Sequence, residues 1–309
     1  MIAAIFPGQG SQKPGMGQEL ADQFAEASIV FDEISSATGI DLRHLCWHSD
    51  EDTLRRTENA QLALFTCGLA AWTVLNVSAP GRIKAVAGHS IGEYSAAVAA
   101  GIFKLDDAAR LVQTRGDLMA RAGEIAPGTM AAVLGLDRDL LQQACEAAAG
   151  CVVVANDNSP GQLVLSGERS AVERAGALAL EAGAKRVLPL NVSGAFHSPL
   201  MATPAKEMGK ALSGVTASPP DLRIYSNVTS EPAEDGIEWP VLLERQLLNP
   251  VRWTESVQHM VRDGVDTFIE CGVGEVLSGL IRRIDKSVKT FRVSDKESLE
   301  KTLEAIAQT

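Results

Sequence analysis

A serine stands between two glycines in Gly88-His89-Ser90-Ile91-Gly92, and the chain holds five histidines that could serve it as a base. A serine hydroxyl becomes a nucleophile when a base lies within hydrogen-bond reach, and the ester it forms is then passed to water or to another acceptor. The spacing suits a sharp turn from strand to helix, in which side chains at the two flanking positions would collide. Its surroundings fit: Ile83 to Ala87 is a short apolar run that predicts a strand, and Glu93 to Ala100 is rich in small residues and predicts a helix. Ser90 would then sit at the helix N-terminus, with the N–H of Ile91 facing a developing oxyanion. Acyl transfer or hydrolysis through a serine ester is the chemistry predicted.

His197 is the best candidate base. His44 and His48 lie in a polar stretch, His259 lies in a helical pattern between Gln258 and Met260, and His89 is inside the turn itself. His197, in Ser193-Gly194-Ala195-Phe196-His197-Ser198-Pro199, follows a glycine and precedes a helix-starting proline. No carboxylate between Ser90 and His197 stands at a recognisable strand end; Asp157 and Glu168 fall in a separate unit. A backbone carbonyl could orient the imidazole instead, giving a Ser-His dyad. The loop Pro7-Gly8-Gln9-Gly10-Ser11-Gln12 fails as a nucleotide-binding motif, because Lys13 stands where a third glycine is needed. Its backbone N–H groups could complete an oxyanion hole, the alternative being a simple tight turn. Arg115, in Thr114-Arg115-Gly116-Asp117, is either a solvated or paired arginine or a clamp for a substrate carboxylate.

The elements that must position these groups alternate. Ile2 to Phe6 predicts a first core strand; helical patterns follow at Gly17 to Phe24, Ala27 to Thr38 and Asn59 to Leu75, then the turn, then a helix from Asp106 to Ala122. Such alternation predicts a parallel, helix-flanked α/β sheet. After Ala126-Pro127-Gly128 the order becomes strand (Met130 to Leu136), helix (Asp139 to Ala148), strands (Val152 to Asn156, Gln162 to Ser166), helix (Glu168 to Ala182) and strand (Arg186 to Leu190). This βαββαβ order predicts a ferredoxin-like subdomain at residues 128–193, inserted into a large domain formed by 1–127 and 194–309. The large domain resumes with a helix from Pro199 to Leu212, a strand from Leu222 to Asn227, helices at Trp239 to Gln246 and Thr254 to Asp263, and a strand from Thr267 to Cys271. The loop Gly272-Val273-Gly274-Glu275 then opens a last helical region.

Composition narrows the setting. With 46% hydrophobic residues a large core is affordable, and a net charge of -11 disfavours nonspecific binding to nucleic acid or to an anionic membrane. Five scattered cysteines without C-x-x-C spacing predict free buried thiols, with neither a zinc site nor a disulfide framework. No basic leader opens the chain and no window approaches a membrane span, so a cytoplasmic protein without membrane attachment is expected.

Taken together, the chain resembles the malonyl-CoA:acyl carrier protein transacylases of fatty acid synthesis, and is similar to the acyltransferase domains of polyketide synthases. The motifs are Phe6-Pro7-Gly8-Gln9-Gly10-Ser11-Gln12, Gly88-His89-Ser90-Ile91-Gly92-Glu93, Gly194-Ala195-Phe196-His197-Ser198 and Asn249-Pro250-Val251-Arg252-Trp253. The resemblance implies an α/β-hydrolase-like domain with a ferredoxin-like insert, Ser90 as nucleophile and His197 as base. It implies that the main-chain carbonyl of Gln246 orients the histidine, that Gln9 and Ile91 supply oxyanion-hole N–H groups, and that Arg115 binds the malonyl carboxylate. Gln61 and Asn158 match positions near the substrate channel. Ala195-Phe196-His197 with Ile91 implies preference for malonyl over methylmalonyl, bulky Phe196 leaving little room for an α-methyl group. The partners implied are malonyl-CoA and acyl carrier protein, with CoA as part of a substrate rather than a cofactor, no metal, and a monomer. Basic clusters at Lys185 and Arg186, at Lys206 and Lys210, and at Arg282, Arg283 and Lys286 are candidate docking patches for an acidic carrier. A thioester hydrolase and a malonyltransferase serving a polyketide or malonate decarboxylase system are the alternatives.

Overall fold

The computed structural model of this 309-residue chain describes residues 1–233 and 235–307. Among the described residues nine strands run in the order β1 (Ile2–Phe6), β2 (Ile83–Gly88), β3 (Thr129–Leu134), β4 (Val152–Ser159), β5 (Gln162–Gly167), β6 (Arg186–Pro189), β7 (Arg223–Tyr225), β8 (Thr267–Cys271) and β9 (Lys289–Val293). Five of them form a sheet in the order β7-β2-β1-β8-β9, every pairing parallel. Side chains alternate across a strand, and β1 uses both faces: Ile2, Ala4 and Phe6 enter one core, Ala3 and Ile5 the other. A strand apolar on both sides needs helices above and below it, which is the condition under which parallel sheets occur.

The largest covering element is the helix Thr57–Ser78. Contrary to the expectation that no window approaches a membrane span, it is long and apolar enough to cross a bilayer. Its apolar surface is instead spent inside the protein, where most of it is buried.

The remaining four strands form an antiparallel sheet in the order β4-β5-β3-β6. Helices Arg138–Ala147 and Arg169–Glu181 alternate with these strands along the chain. They close a separate core around Val133, Leu141, Leu165 and Val172. The antiparallel sheet is tied to the segment after helix Trp239–Gln246 where the Asp157 N–H donates to Val251 O (3.0 Å) and the Val251 N–H to Ala155 O (2.9 Å).

Local differences from the expected elements have physical causes. The polar stretch around His44 and His48 folds into helices Leu42–His48 and Glu51–Arg55, nucleated by side-chain caps: Asp41 accepts from the His44 N–H (2.9 Å) and Asp50 from the Thr53 N–H (2.7 Å). The region after Glu275 is not wholly helical, because β9 lies between helices Val276–Ile284 and Lys296–Ala307. As an edge strand with mostly half-exposed side chains, β9 lacks the apolar run that marks the inner strands. The predicted strand ending at Asn227 stops at Tyr225, which frees Ser226 and Asn227 for polar contacts. All five cysteines are free, four buried and Cys151 half-buried.

Candidate active site

Close packing makes the turn after β2. A Cβ on Gly88 would lie 1.9 Å from the Gly92 carbonyl carbon, and one on Gly92 would lie 2.2 Å from Phe6 O, so neither position admits a larger residue. Between them Ser90 takes φ +52°, a left-handed conformation that costs a non-glycine residue energy and survives only when surroundings hold it. Asn227 does the holding: its Oδ1 accepts from the Ser90 N–H (2.8 Å) and its Nδ2 donates to Gly88 O (2.7 Å). The helix Gly92–Ala99 starts immediately beyond.

His197 is also left-handed (φ +56°), in the turn before a 3-10 segment that starts at Pro199 and is capped by Ser198. It is buried, with Nε2 2.8 Å from Ser90 Oγ and Nδ1 2.8 Å from the main-chain oxygen of Gln246. A carbonyl can only accept, so Nδ1 carries the proton and Nε2 is left to accept from Ser90. Burial, with Arg115 nearby, pulls the imidazole down to about 3, so it is neutral at physiological pH and ready to take a proton. Among the described residues no carboxylate occupies the usual third position of a triad. The carbonyl of Gln246, at the end of helix Trp239–Gln246, fills it.

Arg115, on helix Leu105–Ala120, is only 1% exposed and does not pair with a surface acid. Its Nη2 donates to Ser90 Oγ (3.1 Å) and to Gln246 Oε1 (2.9 Å), its Nη1 to Gln61 Oε1 (2.5 Å), and its guanidinium lies 5.6 Å from the Tyr94 ring centre. The Nε has no hydrogen-bond partner among the described residues. A buried cation with an unspent donor beside a nucleophile has the chemistry to receive an anionic group. Gln61 is itself buried and also donates to Met119 Sδ (3.2 Å), which fixes which end of its amide meets Arg115. Behind Arg115 lies a carboxylate that the sequence alone does not single out. Glu93 accepts from the Asn227 N–H (2.6 Å) and from Gln246 Nε2. Burial pushes its carboxyl up to about 8, against the pull of those two donors and of Arg115.

Ser90 opens into a cavity of about 450 Å³ lined by Gln9, Ile91, Arg115, Asn158, Phe196 and His197 among others. The N–H groups of Gln9 and Ile91 make no hydrogen bond among the described residues, so both are free to meet an oxyanion. Asn158 reaches the elbow from the antiparallel sheet, its Oδ1 2.8 Å from His89 Nε2. His89 reads in the sequence as no more than part of the turn, yet it lines the same cavity and packs edge-on to Trp253. Gln61 is not a wall of the cavity but a support behind Arg115. The basic clusters lie off its walls: Lys210 pairs with Glu207, Arg282 donates to Thr290, and Arg283 donates to Gln162. Among the described residues no group of three or more His, Cys, Asp or Glu side chains gathers as a metal site would require.

A glycine-flanked serine and a neutral histidine at the C-terminal edge of a parallel α/β sheet, with a buried arginine beside them, define a site able to carry acyl groups on a serine. The chain belongs to the acyl transferase domain family, whose model matches residues 4–298. Within that family its relatives are malonyl CoA-acyl carrier protein transacylases. That of Bacillus subtilis is 41% identical over 99% of this chain and 98% of the relative, and that of Escherichia coli K12 is 40% identical over 98% and 99%. Solved structures agree. An acyl carrier protein S-malonyltransferase from Vibrio cholerae superposes with a TM-score of 0.95 at 41% identity, covering 97% of this chain and 99% of its own. A malonyl-transacylase solved in complex with a type II PKS acyl-carrier protein gives 0.95 at 40% identity, covering 98% and 99%.

Proposed function

We propose that this protein moves the malonyl group from malonyl-CoA to the phosphopantetheine thiol of acyl carrier protein, through a malonyl ester on Ser90, for fatty acid synthesis. The observation that carries the substrate assignment is the Arg115 guanidinium, buried and 3.1 Å from Ser90 Oγ. An acyl group without a carboxylate would leave that buried cation without a counter-charge.

The steps follow from the geometry. Ser90 Oγ attacks the thioester carbonyl as its proton passes to His197 Nε2, and the charge left on the imidazole is met by Gln246 O. The N–H groups of Gln9 and Ile91 receive the oxyanion, and Arg115 holds the malonyl carboxylate so that the carbonyl stays over Ser90. His197 returns its proton to the departing CoA sulfur. In the second half the carrier thiol gives its proton to Nε2, attacks the ester, and Ser90 recovers its hydrogen. Phe196 and Asn158 shape the cavity beside the acyl group, and Phe196 disfavours an α-methyl branch. We assign the antiparallel sheet and its two helices as a ferredoxin-like insert, supported by the βαββαβ order, and the parallel part as α/β-hydrolase-like. A soluble cytoplasmic monomer fits this role.

The test is carrier loading followed by mass spectrometry, with malonyl-CoA, methylmalonyl-CoA and acetyl-CoA as competing donors. Malonyl-carrier as the dominant product is expected. Release of free malonate without carrier product would replace the transferase by a thioester hydrolase.

A further inference from the structure

Glu93 stands three residues after Ser90 and is 1% exposed, yet it does not line the cavity. Both its oxygens accept: one from the Asn227 N–H (2.6 Å), the other from Gln246 Nε2. The Gln246 side chain therefore sits in a chain of fixed polarity. Its Nε2 donates to Glu93 and to Ser90 O (2.9 Å), and its Oε1 accepts from Arg115 Nη2 (2.9 Å). An amide has one donating end and one accepting end, so whatever accepts at one end decides what is offered at the other.

We propose that Glu93 is a positioning residue for selection of a carboxylated acyl group: by accepting from Gln246 it turns the amide oxygen towards Arg115 and so holds the guanidinium over Ser90. The inference rests on the reading of Arg115 as the carboxylate receptor. Gln61 fixes the other arm of the guanidinium (2.5 Å), so the two glutamines form a pair of acceptors and Glu93 sets the polarity of one of them.

Glu93→Gln keeps the size of the side chain and reverses this polarity. With its oxygen kept for the Asn227 N–H, the new NH2 faces Gln246 Nε2, donor against donor. If Gln246 turns over to relieve that contact, its NH2 meets Arg115 Nη2 and its oxygen meets Ser90 O, so like faces like at both ends. In either arrangement a buried polar group is left unmatched and Arg115 loses its fixed seat. Acetyl transfer uses the same Ser90 and His197 but has no carboxylate for Arg115 to hold, so whatever the change does to Ser90 is common to both donors and cancels in their ratio.

The experiment compares kcat/KM for malonyl-CoA and acetyl-CoA, with acyl carrier protein as acceptor, in the wild type, Glu93→Gln and Glu93→Asp, alongside thermal unfolding of each. The malonyl-to-acetyl ratio is expected to fall about tenfold or more in Glu93→Gln, on top of any loss that the two donors share. Glu93→Asp, which keeps the carboxyl group but has a shorter reach, should fall between. An unchanged ratio in Glu93→Gln, or equal losses for both substrates, overturns the proposal; should that variant not fold, an unchanged ratio in Glu93→Asp does so. A wild type without malonyl preference refutes the reading of Arg115, and this inference with it.

Discussion

Replacing Arg115 with methionine removes the guanidinium while keeping most of the side chain's bulk, and it separates charge recognition from packing. In the folded protein the group makes hydrogen bonds to Ser90 Oγ, Gln61 and Gln246 and is almost wholly buried. Losing one partner of a buried charge pair costs about 2–5 kcal/mol, so a malonyl carboxylate left without its cation should lower kcat/KM for malonyl-CoA by roughly thirtyfold to several thousandfold. Acetyl-CoA has no carboxylate to lose. Its kcat/KM should hold or rise, and the preference between the two donors should narrow or invert. Gln61 and Gln246 lose a donor, so some loss of stability is also expected, and urea unfolding of the variant measures it separately. The assay is initial-rate transfer to carrier protein with each donor. Equal losses for malonyl and acetyl would show that Arg115 supports the fold and not the choice of substrate, and the reasoning from buried charge would be wrong.

Three further outcomes follow from the same geometry. His197→Asn should reduce transfer by about 10²- to 10⁴-fold, the usual worth of a general base, with near-normal folding; a smaller loss in rate assays would move the base elsewhere. Because the folded His197 is held near 3 while an unfolded histidine titrates near 6.5, the unfolded chain binds the extra proton between those values. That contribution is therefore lost as pH falls from 6.5, and urea titrations should show the His197→Asn variant gaining on the wild type between about pH 6.5 and 4; parallel curves would contradict it. Gly92→Ala should prevent soluble folding or abolish transfer, since the new Cβ would meet Phe6 O at 2.2 Å, and an active, stable variant would mean that the elbow is not tight.

Much of this was legible in the sequence, for reasons that particular residues show. The inner strands announce themselves because β1 and β2 are apolar on both faces. Ser90 is readable because only glycine fits at positions 88 and 92, and His197 because Pro199 marks the turn that presents it. Gln246 could be reached only through the family resemblance: its contact with His197 is a main-chain carbonyl, which every residue type possesses. Glu93 and Asn227 are hard to single out in a sequence because an acid in a helix's first turn and a polar residue after a strand usually face solvent. Here both point inwards and hold Gln246 and the elbow. Their one signal was adjacency, Glu93 directly following the glycine motif. The edge strand β9 has no apolar run to betray it, and Leu42, Leu45 and Cys46 lie on a helix too short for its period to stand out.

The central claim is that Ser90 carries the malonyl group between two thiols. Intact-protein mass spectrometry after mixing with malonyl-CoA tests it most directly, with a Ser90→Ala control and later addition of carrier protein. The account predicts one malonyl adduct located on Ser90, absent from the control, that persists in water and is discharged onto the carrier. An adduct on another residue, or carrier loading that survives in Ser90→Ala, would contradict it.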